Sequence, residues 1–143
     1  MDAVQRVHEL AGNVRCNMAK LLCLDVYGNA LRIVECEGLQ DYYDALGCDL
    51  IDITRVKIRG KVFDVICDDE GLFKEDKRIS AIESETGLPL LVGNLLFANH
   101  NGPETTSLTD EDIEKIATNV VYLSDLQQFA VFCDRWPDPK CTM

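Results

Sequence analysis

Residues 50–67 read LIDITRVKIRGKVFDVIC, and this stretch decides the fold. Leu50–Arg59 and Val62–Cys67 are rich in β-branched residues, and polar and apolar positions alternate in the first of them, which is typical of strands. Gly60 lies near the join between the two segments, where a tight turn needs a residue that tolerates positive φ. The stretch therefore predicts a pair of strands joined as a β-hairpin.

The segments before this hairpin predict a second hairpin and a short helix. Lys20–Tyr27 and Ala30–Glu35 are apolar and rich in β-forming residues. Between them, the Gly-Asn pair at 28–29 predicts a two-residue turn with positive φ. Leu39–Leu46 places apolar and aromatic side chains along one side at helical spacing, and Gly47 follows as a C-terminal signal. We therefore expect strand, strand and helix before the central hairpin.

The segments after the hairpin give weaker signals. Residues 72–87 are polar and predict a long surface loop, with one turn of helix around Ile79–Ile82. Leu90–Phe97 is dense in Leu and Val and predicts a strand buried on both faces. The apolar spacing across residues 126–133 favours a closing helix, although Phe129–Phe132 also fits a strand.

The clearest local prediction is a helix over residues 110–119. Thr109 can act as its N-cap, and Asp112 stands at the N3 position of a capping box. Three acidic residues occupy the first turn, where the helix dipole favours negative charge. Val121–Leu123 is expected to add a strand after the helix.

Together these elements predict the α+β class, with a mostly antiparallel sheet of about five strands and two or three helices on one face. We assign residues 1–17 to an N-terminal helical arm, 18–134 to a single α+β domain and 135–143 to a C-terminal tail. The arm carries apolar residues at helical spacing, so it is expected to bury them in a homo-oligomer. The alternative is that the natural start lies at Met18, directly before the first strand.

The composition restricts the class of protein. The chain has 143 residues, 47% of them hydrophobic, and a formal net charge of −11. This acidity disfavours direct binding to duplex DNA, and no secretory signal or membrane-spanning run is visible. The seven cysteines are odd in number and form no C-x-x-C pair, which indicates reduced thiols in a cytoplasmic protein. No metal and no cofactor is expected.

Three stretches carry a family resemblance: Leu31–Val34 with the helix at Leu39–Leu46, residues 50–71, and the SLTDEDI segment at 107–113. Together they resemble a family of small domains encoded mainly by phages and conjugative elements of Gram-positive bacteria. The resemblance covers roughly residues 20–120. It implies an accessory protein of a mobile element that blunts host defence, and it supplies no catalytic residues.

A stripe of basic residues is the strongest candidate binding feature. In an extended strand, alternate side chains project from one face, while Val56 and Ile58 point into the core. Such a stripe on an acidic protein could hold a phosphate or a nucleotide. The alternative is a solvated sheet face balanced by acids such as Asp64 and Glu70. The stripe consists of Arg55, Lys57, Arg59 and Lys61.

The turn after the buried strand provides two more candidates. Asn99 and His100 could supply polar ligand contacts, because binding residues are common on such loops. The alternative is a plain turn built from residues that tolerate left-handed backbone angles. No nucleophile or acid stands at a recognised catalytic spacing from His100.

Three functions remain open from the sequence. The first is a non-enzymatic interaction module of a mobile element that sequesters a host protein or a small anionic nucleotide signal. The second is an acidic decoy that mimics DNA and occupies a DNA-binding enzyme. The third is a small enzyme that uses His100 and a neighbouring carboxylate. The absence of recognised catalytic motifs favours the first.

Overall fold

The computed structural model describes residues 18–70, 75–102 and 104–135. Within them, ten strands form one mixed sheet, and two helices of eight residues each pack on it. The helices are α1 (Leu39–Leu46) and α2 (Asp110–Ala117). The strands are β1 (Ala19–Asp25), β2 (Ala30–Cys36), β3 (Ile51–Ile58), β4 (Lys61–Asp68), β5 (Ile79–Glu83), β6 (Pro89–Val92), β7 (Leu95–Asn101), β8 (Glu104–Thr106), β9 (Val120–Leu123) and β10 (Gln128–Arg135).

The β3–β4 hairpin forms as the sequence predicts. The two strands pair antiparallel over their whole length, from Ile51 opposite Asp68 to Ile58 opposite Lys61. Arg59 and Gly60 form the turn with φ of 50° and 83°. Positive φ at both central residues matches the right-handed twist of the flanking strands, and it is the reason for glycine at the second position.

The first hairpin forms with a longer turn than predicted. Asp25 and Ala30 are the last paired residues, so the loop contains four residues. The Asp25 carboxylate accepts hydrogen bonds from the N–H groups of Tyr27 and Gly28, at 3.1 and 2.8 Å. A Cβ at Gly28 would lie 2.7 Å from this carboxylate, so the close approach requires glycine there.

The predicted fold class is wrong in strand number and in helix placement. The strand order is β2-β1-β7-β4-β3-β10-β5-β6, with β8 paired to β7 and β9 paired to β10. The β5–β10 pair is parallel, and the other pairs are antiparallel. The domain is therefore a large mixed sheet with two short helices, which is far more β-rich than five strands under a helical layer.

The extra strands come from segments whose patterns are ambiguous. Ile79–Glu83 was expected to be loop with a helical turn, but its Ser80 and Ala81 are buried in β5. The predicted strand at Leu90–Phe97 is divided at Gly93, where φ is 79°. The predicted closing helix is strand β10, which is buried on both faces and so lacks the alternation of a half-exposed strand.

The sheet separates two apolar clusters, and the helices lie on opposite faces. The larger cluster includes Phe63, Phe97 and Ile116 of α2. The smaller cluster includes Ile66 and Leu46 of α1. Strands β1, β4 and β7 contribute to both clusters, so the middle of the sheet is buried on both sides.

The two ends of the chain fall outside the described residues. The predicted helical arm at 1–17, with its expected role in self-association, lies in the first of these two ends. Strand β10 includes Arg135, which the sequence assigned to the tail. Neither α1 nor α2, the helices of the described segments, has the length and apolar character needed to cross a membrane.

The anchoring of α1 gives a matched test of the smaller cluster. Leu46 is 6% exposed, whereas Leu39 on the same helix is 54% exposed. We expect Leu46→Ala to lower the free energy of unfolding by about 2–5 kcal/mol, because it leaves a cavity, and Leu39→Ala to change it by less than about 0.5 kcal/mol. Urea denaturation measures both values, and equal losses would contradict the assigned packing.

Candidate functional site

The four basic residues of the stripe do not share one face, so that expectation is wrong. Arg55 and Lys57 lie on the α1 side of β3. Lys61 lies opposite Ile58 and shares the face of the larger cluster, with its Nζ 5.3 Å from the centre of the Phe63 ring. Alternate residues share a face only within one strand. The two-residue turn after Ile58 interrupts this alternation, so Lys61 lies on the opposite face from Arg55 and Lys57.

On the α1 side, Arg55 and His100 meet at a buried carboxylate. The Arg55 Nε donates to Asp64 Oδ1 at 3.0 Å, and His100 Nδ1 lies 3.4 Å from the same oxygen. Asp64 is 5% exposed, while the His100 side chain is partly exposed. The two predicted site residues therefore lie beside the same carboxylate, Asp64, which was predicted to balance the charge of the basic stripe.

Lys57 and Arg59 do not join this group. Lys57 pairs in register with Asp134 of β10, so a carboxylate stands opposite it in the sheet. Arg59 lies in the turn, and its Nε donates to Asn119 Oδ1 at 2.9 Å. These two side chains point toward separate parts of the surface, and they form no common anion site with Arg55.

On the other face, Lys61 and Asn99 hold Asp112 at the start of α2. The Lys61 Nζ donates to Asp112 Oδ1 at 2.7 Å, and the Asn99 Nδ2 donates to Asp112 Oδ2 at 2.7 Å. The Thr109 N–H donates to the same Oδ2 at 3.0 Å, while the Thr109 hydroxyl accepts from the Asp112 N–H. The predicted capping box is confirmed, and Lys61 and Asn99 support it.

These contacts determine the ionisation of Asp112. Its burial would raise the pKa, but the hydrogen bonds from Lys61, Thr109 and Asn99 outweigh burial and hold the pKa well below its usual range. Asp112 is therefore ionised at neutral pH and stabilises the folded state. Lys61 and Asn99 have a structural function here, which weakens their assignment as ligand-binding residues.

Carboxylates that were not predicted to meet are concentrated at the open end of the β3–β4 hairpin. They come from the end of α1, from the loop into β3, from β3 itself and from the end of β4. We call this surface the acidic rim. It consists of Asp44, Asp49, Asp52, Asp68, Asp69 and Glu70.

The acidic rim borders two concavities. The first has a volume of about 430 Å³ and is lined by Tyr43, Gly47 and Cys48 together with Asp44, Asp49, Asp68 and Glu70. The second has a volume of about 380 Å³ and is lined by Cys67, residues 89–92, Asp52, Asp68 and Asp69. Asp68 lines both of them, so the two concavities are adjacent.

In the part of the chain that the structure describes, no ion pair involves Asp44, Asp49, Asp52, Asp69 or Glu70. Burial, together with the neighbouring charges of Asp52, Asp68 and Asp69, raises the pKa of the Cys67 thiol to about 12. The thiol is therefore protonated and unreactive at neutral pH.

The signal for the rim was only partly visible in the sequence. The run Asp68-Asp69-Glu70 stands out as an acidic segment, but Asp44, Asp49 and Asp52 precede it by 16 or more positions. The β3–β4 register places Asp52 opposite Cys67, so the earlier aspartates lie beside the acidic run that begins at Asp68. This long-range pairing could not be read from charge spacing alone.

The fold and the rim define a small, acidic, β-rich domain. The chain belongs to the family described as Domain of unknown function (DUF3846), whose model matches residues 20–121. This match confirms a small-domain family over the span that the resemblance covered. No curated protein and no solved structure gives a significant match to the chain.

The low pKa of Asp112 predicts a pH-dependent stability. The ionised Asp112 side chain contributes its full stabilisation at pH values above about 4, the pKa of an aspartate in the unfolded chain. This contribution is lost as the pH falls toward the lower pKa of Asp112 in the folded protein. We expect Asp112→Asn to lower the free energy of unfolding by about 2 kcal/mol near pH 7, because the capping box and the bond from Lys61 are weakened. Near pH 3 the gap between wild type and variant should be smaller by about 1 kcal/mol.

Urea denaturation at the two pH values measures this gap. The control is Glu111→Gln, which removes an exposed acid from the same helical turn and should show a small gap at both pH values. A gap for Asp112→Asn that stays constant between pH 7 and pH 3 would contradict the assigned ionisation.

Proposed function

We propose that this protein is a non-enzymatic interaction module whose acidic rim binds a basic surface of a partner protein. One observation carries the proposal: carboxylates from four separate parts of the fold converge around two adjacent concavities that share Asp68. A concave surface of one charge concentrates the field and attracts a partner of opposite charge. Catalysis is not needed to explain this arrangement.

The charges are also separated along the hairpin. The acidic rim lies at its open end, and the basic residues 55–61 lie at its turn end. Because an eight-residue strand spans roughly 25 Å, the two charge centres are well apart. This polarity would orient the protein as it approaches a cationic surface, which speeds association.

Exposed apolar side chains near the rim favour a protein partner over a small cation. Leu50, between Asp49 and the start of β3, is 50% exposed, and Leu88, beside the second concavity, is 61% exposed. Interfaces between proteins combine apolar anchors with a polar border. A free polyamine would use the carboxylates and gain little from these leucines.

The partner that best fits this chemistry is a host protein whose basic surface normally holds DNA. Closely spaced carboxylates can occupy positions that DNA phosphates would otherwise take. The setting that the resemblance implies, a mobile element that counters defence in Gram-positive bacteria, is consistent with such a decoy. This setting is part of the proposal.

The placement of the basic residues does not favour an anionic nucleotide as the ligand. Buried carboxylates already neutralise Arg55 and Lys61, through Asp64 and Asp112. An enzyme that uses His100 is also disfavoured, because its neighbouring carboxylate Asp64 already accepts a hydrogen bond from Arg55. These contacts support structural roles for both groups.

The rim is tested by removing charge without removing Asp68, whose carboxylate accepts a backbone hydrogen bond from Glu70. The rim variant carries Asp49→Asn, Asp69→Asn and Glu70→Gln. The matched control carries Glu85→Gln, Glu111→Gln and Asp125→Asn, three exposed acids elsewhere on the surface. Both variants change the net charge by the same amount.

Each immobilised protein is exposed to a nuclease-treated lysate of a Gram-positive bacterium, and retained proteins are purified and titrated individually. We expect a partner that binds wild type and control equally and binds the rim variant about ten-fold or more weakly, with affinity falling as salt rises. Equal binding to the rim variant and the control, or binding that salt does not weaken, would count against the proposal.

A further inference from the structure

The outer end of the β7–β8 hairpin carries an asparagine that is followed by a glycine. Asn101 is the last residue of β7, and it pairs with Glu104, the first residue of β8. Gly102 follows Asn101 directly and has a positive φ of 61°. Asn101 and Gly102 are both exposed to solvent. Hairpin ends of this kind open locally at little cost in free energy.

The side chain of Asn101 is not held by the fold. Among the described residues, none forms a hydrogen bond with its amide group. Asn99, two positions earlier on the same strand, is held firmly. Its Nδ2 donates to the Ser107 carbonyl at 3.1 Å and to Asp112 Oδ2 at 2.7 Å. The amide of Asn101 therefore keeps a rotational freedom that the amide of Asn99 has lost.

The residue that follows also distinguishes Asn101 from the other asparagines. Of the asparagines in the sequence, only Asn101 precedes a glycine. A side chain on the following residue hinders approach to its backbone nitrogen, and glycine leaves that nitrogen accessible. In the described segments, hydrogen bonds also hold the side chains of Asn29, Asn94 and Asn119. Freedom of the amide and access to the next nitrogen therefore coincide at Asn101.

We propose that Asn101 is a site of spontaneous modification, at which the backbone nitrogen of Gly102 attacks the side chain of Asn101. The nitrogen forms a bond to Cγ of Asn101 and passes its proton through water to Nδ2. The bond from Cγ to Nδ2 then breaks, and Nδ2 leaves as ammonia. Water adds to either carbonyl of the resulting five-membered imide and opens the ring, which leaves an aspartate or an isoaspartate. The net reaction consumes water and releases ammonia.

The product changes the charge of the hairpin. Asn101 and Glu104 stand opposite each other, so an aspartate at position 101 places two carboxylates in one cross-strand pair. Like charges in directly opposed positions destabilise the pairing of two strands. Strand β8 has three residues and, among the described strands, pairs only with β7, so the modification should loosen β8. The proposal does not rest on the function proposed for the rim.

Incubation of the folded full chain in buffer tests the reaction, and mass spectrometry of its peptides locates each converted asparagine. We expect Asn101 to convert about ten-fold or more faster than Asn94 or Asn99, because those two side chains are held and bulkier residues follow them. The rate should be higher at pH 8 than at pH 6, since the attack requires loss of the proton from the nitrogen.

Two variants test the route of the attack. Gly102→Ala adds a methyl group beside the attacking nitrogen, where no neighbouring atom lies within 4 Å, and it should slow the conversion of Asn101 about ten-fold or more. Asn101→Gln keeps an amide at this position but lengthens the side chain, so the attack must close a larger ring. Conversion at position 101 should then be lost, without a change to the turn glycine.

A further pair of variants tests the effect on β8. Asn101→Asp reproduces the charge of the product and should raise the hydrogen-exchange rates of the β8 amides about two-fold or more, and adding Glu104→Gln should restore them. Conversion of Asn101 at the rate of Asn94 or Asn99, or unchanged conversion in Gly102→Ala, would overturn the proposed site. Exchange in β8 that is equal in wild type and Asn101→Asp would overturn the loosening.

Discussion

The burial of the central strands on both faces is the constraint on which the rest of the structure depends. Strands β1, β4 and β7 send side chains into both apolar clusters, so their backbone groups are removed from water and must pair within the sheet. Polar side chains in this region must also find partners. Asp64, which is 5% exposed, accepts a hydrogen bond from Arg55 for this reason.

Local signals in the sequence predicted local structure well. The turn at Arg59 and Gly60 and the capping box of α2 depend on residues within four positions of one another, and both formed as expected. The helix favoured over residues 126–133 was wrong, and the alternative of a strand at Phe129–Phe132 was right. Strand β10 is buried on both faces, so its apolar residues occur at spacings that also fit a helix. The sheet-wide strand order depends on long-range pairing that such patterns do not encode.

The candidate site shows the same division. The alternation of side chains in a strand correctly predicted that Arg55 and Lys57 share one face of β3. The same rule gave the wrong face for Lys61, because the hairpin turn separates it from β3. His100 and Asp64 are 36 positions apart and meet through the pairing of β4 with β7. The acidic rim depends on the β3–β4 register and on the position of α1. Its charges were visible in the sequence, but their convergence was not.

The position of β10 has a consequence for how the chain acquires its structure. This strand lies between β3 and β5, so among the described strands it alone connects the larger part of the sheet to the β5–β6 pair. During synthesis, the two parts can form separately, but they cannot join until residues 128–135 have left the ribosome. Completion of the sheet therefore follows the synthesis of all the other described strands, and a nascent chain that stalls before β10 would hold an unfinished edge on each part.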